Sequence, residues 1–111
     1  MAPKAEGYDL PAFRLGKTIY SGYHLKVSLH ARLKLDARQM TVEEVIRDLS
    51  GTALDPLVVQ QGKDKFCLYY KVTRNVCHKY VLEKNEYEKA LKLITVEKIR
   101  VDWQRMVSKH V

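Results

Sequence analysis

A histidine, a lysine and an arginine recur at four-residue spacing along His30-Ala31-Arg32-Leu33-Lys34-Leu35-Asp36-Ala37-Arg38. Residues four apart share one line on a helix, so His30, Lys34 and Arg38 form a single basic edge. An imidazole can take a proton near neutral pH, and guanidinium and ammonium groups hold phosphate oxygens. Cleavage of RNA by its own 2′-hydroxyl requires this combination: a base, a proton donor and cations that stabilise the phosphorane. His30 is thus the candidate base, Arg38 the second candidate catalytic residue and Lys34 a candidate phosphate ligand. A boundary histidine with a structural hydrogen bond, set in a solvated basic edge, fits the same residues.

A second constellation lies in the stretch Lys65–Lys84. If Arg74-Asn75 is a two-residue hairpin turn, Tyr69 faces Tyr80, Lys71 faces His78 and Cys67 faces Leu82 across the strands. The other side then pairs Phe66 with Glu83, Leu68 with Val81, Tyr70 with Lys79 and Val72 with Cys77. This second set is the more aliphatic and is assigned to the core. The first presents Tyr69, Lys71, His78 and Tyr80 together, with Lys79 nearby as a further cation. Rings that stack on bases beside ammonium groups that meet phosphates suit nucleic acid. Tyrosines half-buried in ordinary sheet packing are the alternative, and a one-residue shift exchanges the two sets.

Positioning these residues requires helices first and strands afterwards. The first helix is expected from about Tyr23 or Ser28 to Arg38, with Leu29, Leu33, Ala37 and Met40 as its buried stripe. The alternating stretch Leu25 to Leu29 also reads as a strand. The second helix has the stronger signal. Thr41 and Glu44 form a capping box, Met40 and Val45 stand at staple positions, and Val42, Val45, Ile46 and Leu49 make the buried face before Gly51. After Pro56 the period becomes strand-like: Leu57–Gln60, Lys65–Val72, Cys77–Lys84 and Lys89–Lys98 are expected strands with short turns between them. A last helix over Val101–Lys109 would pack Trp103, Met106 and Val107. The predicted fold is α+β: two N-terminal helices packed on a four-stranded antiparallel sheet, with a C-terminal helix. Residues 1–20, holding Pro3 and Pro11, are expected to be a flexible arm before a single domain over 21–111.

Charge and cysteine usage narrow the function classes. With 111 residues and a formal net charge of +7, one basic domain is expected. Residues 1–51 carry 8 Lys and Arg against 6 Asp and Glu; residues 52–111 carry 12 against 7. An anionic partner, RNA or another nucleic acid, follows from that excess. No apolar run is long enough to span a membrane, and the N-terminus lacks an export signal, so a cytoplasmic protein is expected. Cys67 and Cys77 fall on opposite faces of the hairpin, which argues against a disulfide between them. There is no C-x-x-C or H-x-x-x-H pair, no phosphate-binding glycine loop and no nucleophile elbow. Neither a metal nor another cofactor is expected.

The run His30-Ala31…Ala37-Arg38-x-Met40-Thr41-x-Glu43-Glu44-Val45 resembles the start of small prokaryotic domains related to BrnT and RelE toxins. Tyr69-Tyr70, Lys79-Tyr80-Val81 and Leu93-Ile94-Thr95-Val96 are similar to the closing strands of that group. The resemblance covers roughly residues 24–99. It implies a RelE-like fold, helices on an antiparallel sheet, and metal-independent RNA cleavage by dispersed basic, histidine and tyrosine residues. His30 and Arg38 match the motif's histidine and arginine, and Lys79 and Tyr80 match more loosely. It also implies an acidic antitoxin-like protein as partner. Three readings follow: an RNA-interacting domain of toxin type with endoribonuclease activity, a nucleic-acid-binding protein without catalysis, or a module that docks an acidic protein.

Overall fold

A computed structural model describes residues 6–15, 18–51 and 56–110. Its elements are β1 (Glu6–Asp9), β2 (Phe13–Leu15), β3 (Thr18–Tyr20), β4 (His24–Val27), α1 (Leu29–Ala37), α2 (Val42–Ser50), β5 (Leu57–Gln60), β6 (Lys65–Thr73), β7 (Val76–Asn85), β8 (Ala90–Arg100) and α3 (Trp103–His110). The class is α+β, but the expected four-stranded antiparallel sheet is replaced by a six-stranded mixed one. Its strand order is β1-β4-β8-β7-β6-β5, with β2 and β3 forming a separate pair. Two strands that the sequence pattern did not separate make the difference. β1 and β4 pair antiparallel, and β4 then runs parallel to β8, His24 opposite Ala90 through Val27 opposite Leu93. Both strands are four residues long and come from the segment expected as an arm and a helix start. A strand that short shows almost no period, and the β8 partner of β4 lies over sixty residues away, so local patterning is silent about it.

The alternating Leu25 stretch is thus strand β4, and α1 begins just after it. Ser28 caps α1 by accepting from the Ala31 N–H at 3.0 Å. At its other end the Met40 N–H donates to the Leu35 carbonyl and the Gln39 N–H to Asp36. That is a Schellman ending, with Gln39 at φ 55° in the left-handed position usually given to glycine. α2 carries the expected capping box: the Thr41 hydroxyl accepts from the Glu44 N–H, and the Glu44 carboxylate from the Thr41 N–H.

Between β6 and β7 the pairing starts at the tip as expected, Thr73 opposite Val76. It then slips by one residue between Lys71 and Thr73, leaving Val72 unpaired and exposed. Beyond the bulge Lys71 faces Cys77, Tyr70 faces His78, Tyr69 faces Lys79 and Leu68 faces Tyr80. The two predicted faces are therefore recombined. Phe66, Leu68, Tyr70, His78, Tyr80 and Leu82 line the inner, helix-covered face and are all buried, whereas Cys67, Tyr69, Lys71, Cys77 and Lys79 line the outer one.

The α1 stripe also needs correcting. Its buried residues are Ala31 and Leu35, while Leu29 and Leu33 are 55% and 60% exposed. α1 carries two apolar lines on nearly opposite sides, and at 100° per residue neither is distinguishable from sequence as the inner one. This geometry sets a test. Leu35→Ala is expected to cost about 2–5 kcal/mol by urea unfolding, and Leu33→Ser less than about 0.5 kcal/mol. Equal losses at the two sites would refute the assignment of faces.

Candidate nucleic-acid interface

On the outer face a row of side chains crosses the sheet at one level. Leu57 of β5 pairs with Tyr69 of β6, Tyr69 with Lys79 of β7, and Lys79 with Glu97 of β8. Because β4 stops pairing at Val27, the second half of β8 has no strand on that side, and α1 lies along it. Glu97 reaches this helix and closes the row. Its Oε2 accepts from Arg38 Nη2 at 2.8 Å and Nε at 3.1 Å, and its Oε1 lies 3.2 Å from Lys34 Nζ. The Arg38 guanidinium, with Lys34 behind it, holds the Glu97 carboxyl below the ordinary carboxylate range.

The Lys79 ammonium stands 5.8 Å from the centre of the Tyr69 ring, a cation–π distance. Tyr69 is half-buried, and its hydroxyl pKa is pushed up to about 12 by burial and by neighbouring Cys67. Lys71, two residues along β6, is exposed on the same face. Both cysteines are free and fully buried on this face, with Cys67 opposite Val81 and Cys77 four positions farther along β7. That offset is roughly 13 Å at 3.3 Å per residue, too long for a disulfide. The two cysteines share a face, not the opposite faces expected from sequence, and it is distance along the strands that keeps them apart. Burial also raises the Cys77 thiol pKa to about 11.

His78 and Tyr80 do not belong to this surface. Both point inward, His78 being 6% exposed and Tyr80 wholly buried. The Tyr80 hydroxyl donates to Asp48 Oδ2 of α2, and His78 Nδ1 lies 3.0 Å from the same oxygen. Tyr70 packs beside Tyr80 with ring centres 5.6 Å apart. Burial, and then the Asp48 charge, pushes both phenols well above the ordinary tyrosine value. A satisfied buried polar cluster of this kind fixes α2 on the sheet in one orientation. Asp48 was not singled out from sequence. Its place at the margin of the Val45–Leu49 apolar stripe was the available signal.

His30 is exposed one helical turn before Lys34 and has no hydrogen-bond or ionic partner among the described residues. The structure thus brings Lys34, Arg38, Tyr69 and Lys79 into one row, with Lys71 and His30 at its margins, and sends His78 and Tyr80 to the other side. No family model, curated protein or solved structure matches the chain. No helix among the described residues is long and apolar enough to cross a membrane. Among those residues, too, no group of three or more His, Cys, Asp or Glu converges as metal ligands do.

The Glu97 contacts imply a pH dependence with a definite sign. A carboxyl whose pKa is lower folded than unfolded stabilises the fold above its unfolded value, and this contribution disappears as pH falls through the folded value. Glu97 is partly exposed, so solvent screening holds the contribution below about 1 kcal/mol. Glu97→Gln is expected to flatten part of the loss of stability below about pH 4 in urea midpoints measured from pH 7 to 3. A variant that keeps the full wild-type slope would contradict the assignment.

Proposed function

We propose that this chain is a small basic RNA-interacting domain of RelE-like kind that works in the cytoplasm, where two unpaired thiols are at home. The observation that supports this most is the row Tyr69–Lys79–Glu97–Arg38/Lys34, which offers a ring for a base beside cations for the backbone. Glu97 occupies the place a phosphate would take. It holds Arg38 and Lys34 extended over the sheet edge, and an incoming phosphate competes with it for both. In the catalytic form of this reading the domain is a metal-independent endoribonuclease of toxin type. His30 takes the 2′-hydroxyl proton as that oxygen bonds to phosphorus, and Arg38, freed from Glu97, stabilises the phosphorane. The P–O5′ bond then breaks, with the 5′-oxygen taking a proton from water.

The test separates binding from cleavage. Lys79→Ala and Arg38→Ala are each expected to weaken binding of single-stranded RNA and to lower the slope of log K against log salt by about 1. Glu97→Gln is expected to tighten binding and steepen that slope, because it releases two cations. Affinity that hardly changes with salt, or that ignores all three substitutions, would end the reading. Cleavage abolished by His30→Ala with binding retained supports catalysis; binding without cleavage leaves the non-catalytic form.

One observation favours a second reading. Leu29, Leu33 and Ala37 form an exposed apolar line on α1, flanked by His30 and Lys34. Such a ridge on a basic domain suits an amphipathic helix with acidic borders, the chemistry of an antitoxin-like partner. Leu29→Ser with Leu33→Ser would remove that partner while leaving RNA binding intact.

A further inference from the structure

Lys84 lies on the inner face of β7, opposite Leu91, and is only 8% exposed. A lysine is rarely buried to that extent unless its charge is paired. Its ammonium stands 4.7 Å from the centre of the Tyr20 ring, 3.3 Å from the Tyr20 hydroxyl and 2.7 Å from Glu86 Oε1. The Glu86 hydrogen bond raises the Lys84 pKa, so the group is charged at neutral pH. Glu86 itself belongs to the turn after β7, and its side chain is 66% exposed. The buried cation is thus paired by a carboxylate that can swing into water.

Two hollows meet at this lysine, and Lys63 borders both. One, of about 590 Å³, sets the carboxylates Asp64, Glu83 and Glu86 among Lys63, Lys65 and Lys84, so its cations are already matched by internal anions. The other, of about 470 Å³, lies between the β2–β3 pair and the β5–β6 edge. Its walls include Leu15, Val58 and Phe66, with Thr18 and Gln60 as neutral polar groups and no carboxylate among its described lining residues. That volume falls within the range of small-molecule sites, which combine apolar walls with a few placed polar groups. The Tyr20 ring already stacks on Phe13 at 5.4 Å and carries the Lys84 ammonium 4.7 Å from its centre. Tyr20 therefore orients the cation and does not itself stack on a ligand.

We propose that this second hollow binds a small phosphate monoester with an apolar body, its phosphate between Lys84 and Lys63 and its body against Leu15, Val58 and Phe66. Glu86 is the internal anion that the phosphate displaces. A doubly charged phosphate spans two ammonium groups where one carboxylate holds one. The site is on the opposite face from the Tyr69–Lys79 row and does not rest on the RNA reading.

The experiment titrates phenyl phosphate into the full chain, followed by calorimetry and by amide shifts in ¹⁵N-labelled protein. One saturable site is expected, with shifts at Val58, Lys63 and Lys84, and with inorganic phosphate binding more weakly. Lys84→Met and Lys63→Ala are each expected to weaken binding roughly tenfold, and Glu86→Gln to tighten it severalfold. Should Lys84→Met fail to fold, the two exposed positions Lys63 and Glu86 still decide. Absence of saturable shifts at these residues, or an affinity that neither Lys63→Ala nor Glu86→Gln changes, would overturn the proposal.

Discussion

In a strand the side chains alternate with a period of two, so one unpaired residue reverses everything that precedes it. Val72 is that residue, and the orientation of the central sheet depends on it. With the bulge, Leu68, Tyr70, His78 and Tyr80 meet the helices, and Tyr69, Lys71 and Lys79 meet solvent. Without it, Tyr70 would sit beside the outer Lys79, and Tyr69 and Lys71 would enter the buried face beside Tyr80 and His78. The packing of Tyr70 on Tyr80 inside and the Tyr69–Lys79 pair outside are therefore two consequences of one local irregularity.

Glu97 plays the corresponding part at the edge of the sheet. The parallel pairing of β4 with β8 ends at Leu93, and α1 takes the place of a strand beside the rest of β8. A carboxylate on β8 that is held by Arg38 and Lys34 ties helix to strand where no backbone ladder exists. The same contact continues the row of outer side chains from the sheet onto the helix. Packing and surface chemistry coincide at this residue, which explains why two cations can stand beside each other without mutual repulsion dominating.

What could be read in advance followed the range of the interactions. The Thr41–Glu44 box, the Val45–Leu49 face, strand β5 and the hairpin tip at Arg74-Asn75 depend on neighbours within a few residues, and each was legible. The burial of Ala31 and Leu35 in place of Leu29 and Leu33 was not, because α1 has two apolar lines and only tertiary contact selects one. Nor was the Val72 bulge, since both strands alternate acceptably in either register. Lys34, Arg38, Tyr69 and Lys79 were identified by residue type, yet their placement in one row rests on pairings between β6, β7, β8 and α1 that no local pattern contains. Asp48 escaped notice because a single carboxylate at the margin of an apolar face is ordinary in any amphipathic helix.

The β4–β8 ladder joins residues 24–27 to residues 90–93 and sits in the middle of the six-stranded sheet. Contacts this distant along the chain carry a large loop-closure cost before they return any stabilisation, and they slow folding. On the ribosome, β1 and β4 emerge before β8 and remain without their central neighbour until residues 90–93 have been made. During that interval Leu25 and Val27 expose apolar strand to the surroundings. Synthesis therefore includes an aggregation-prone interval whose length is set by the separation of β4 from β8 along the chain.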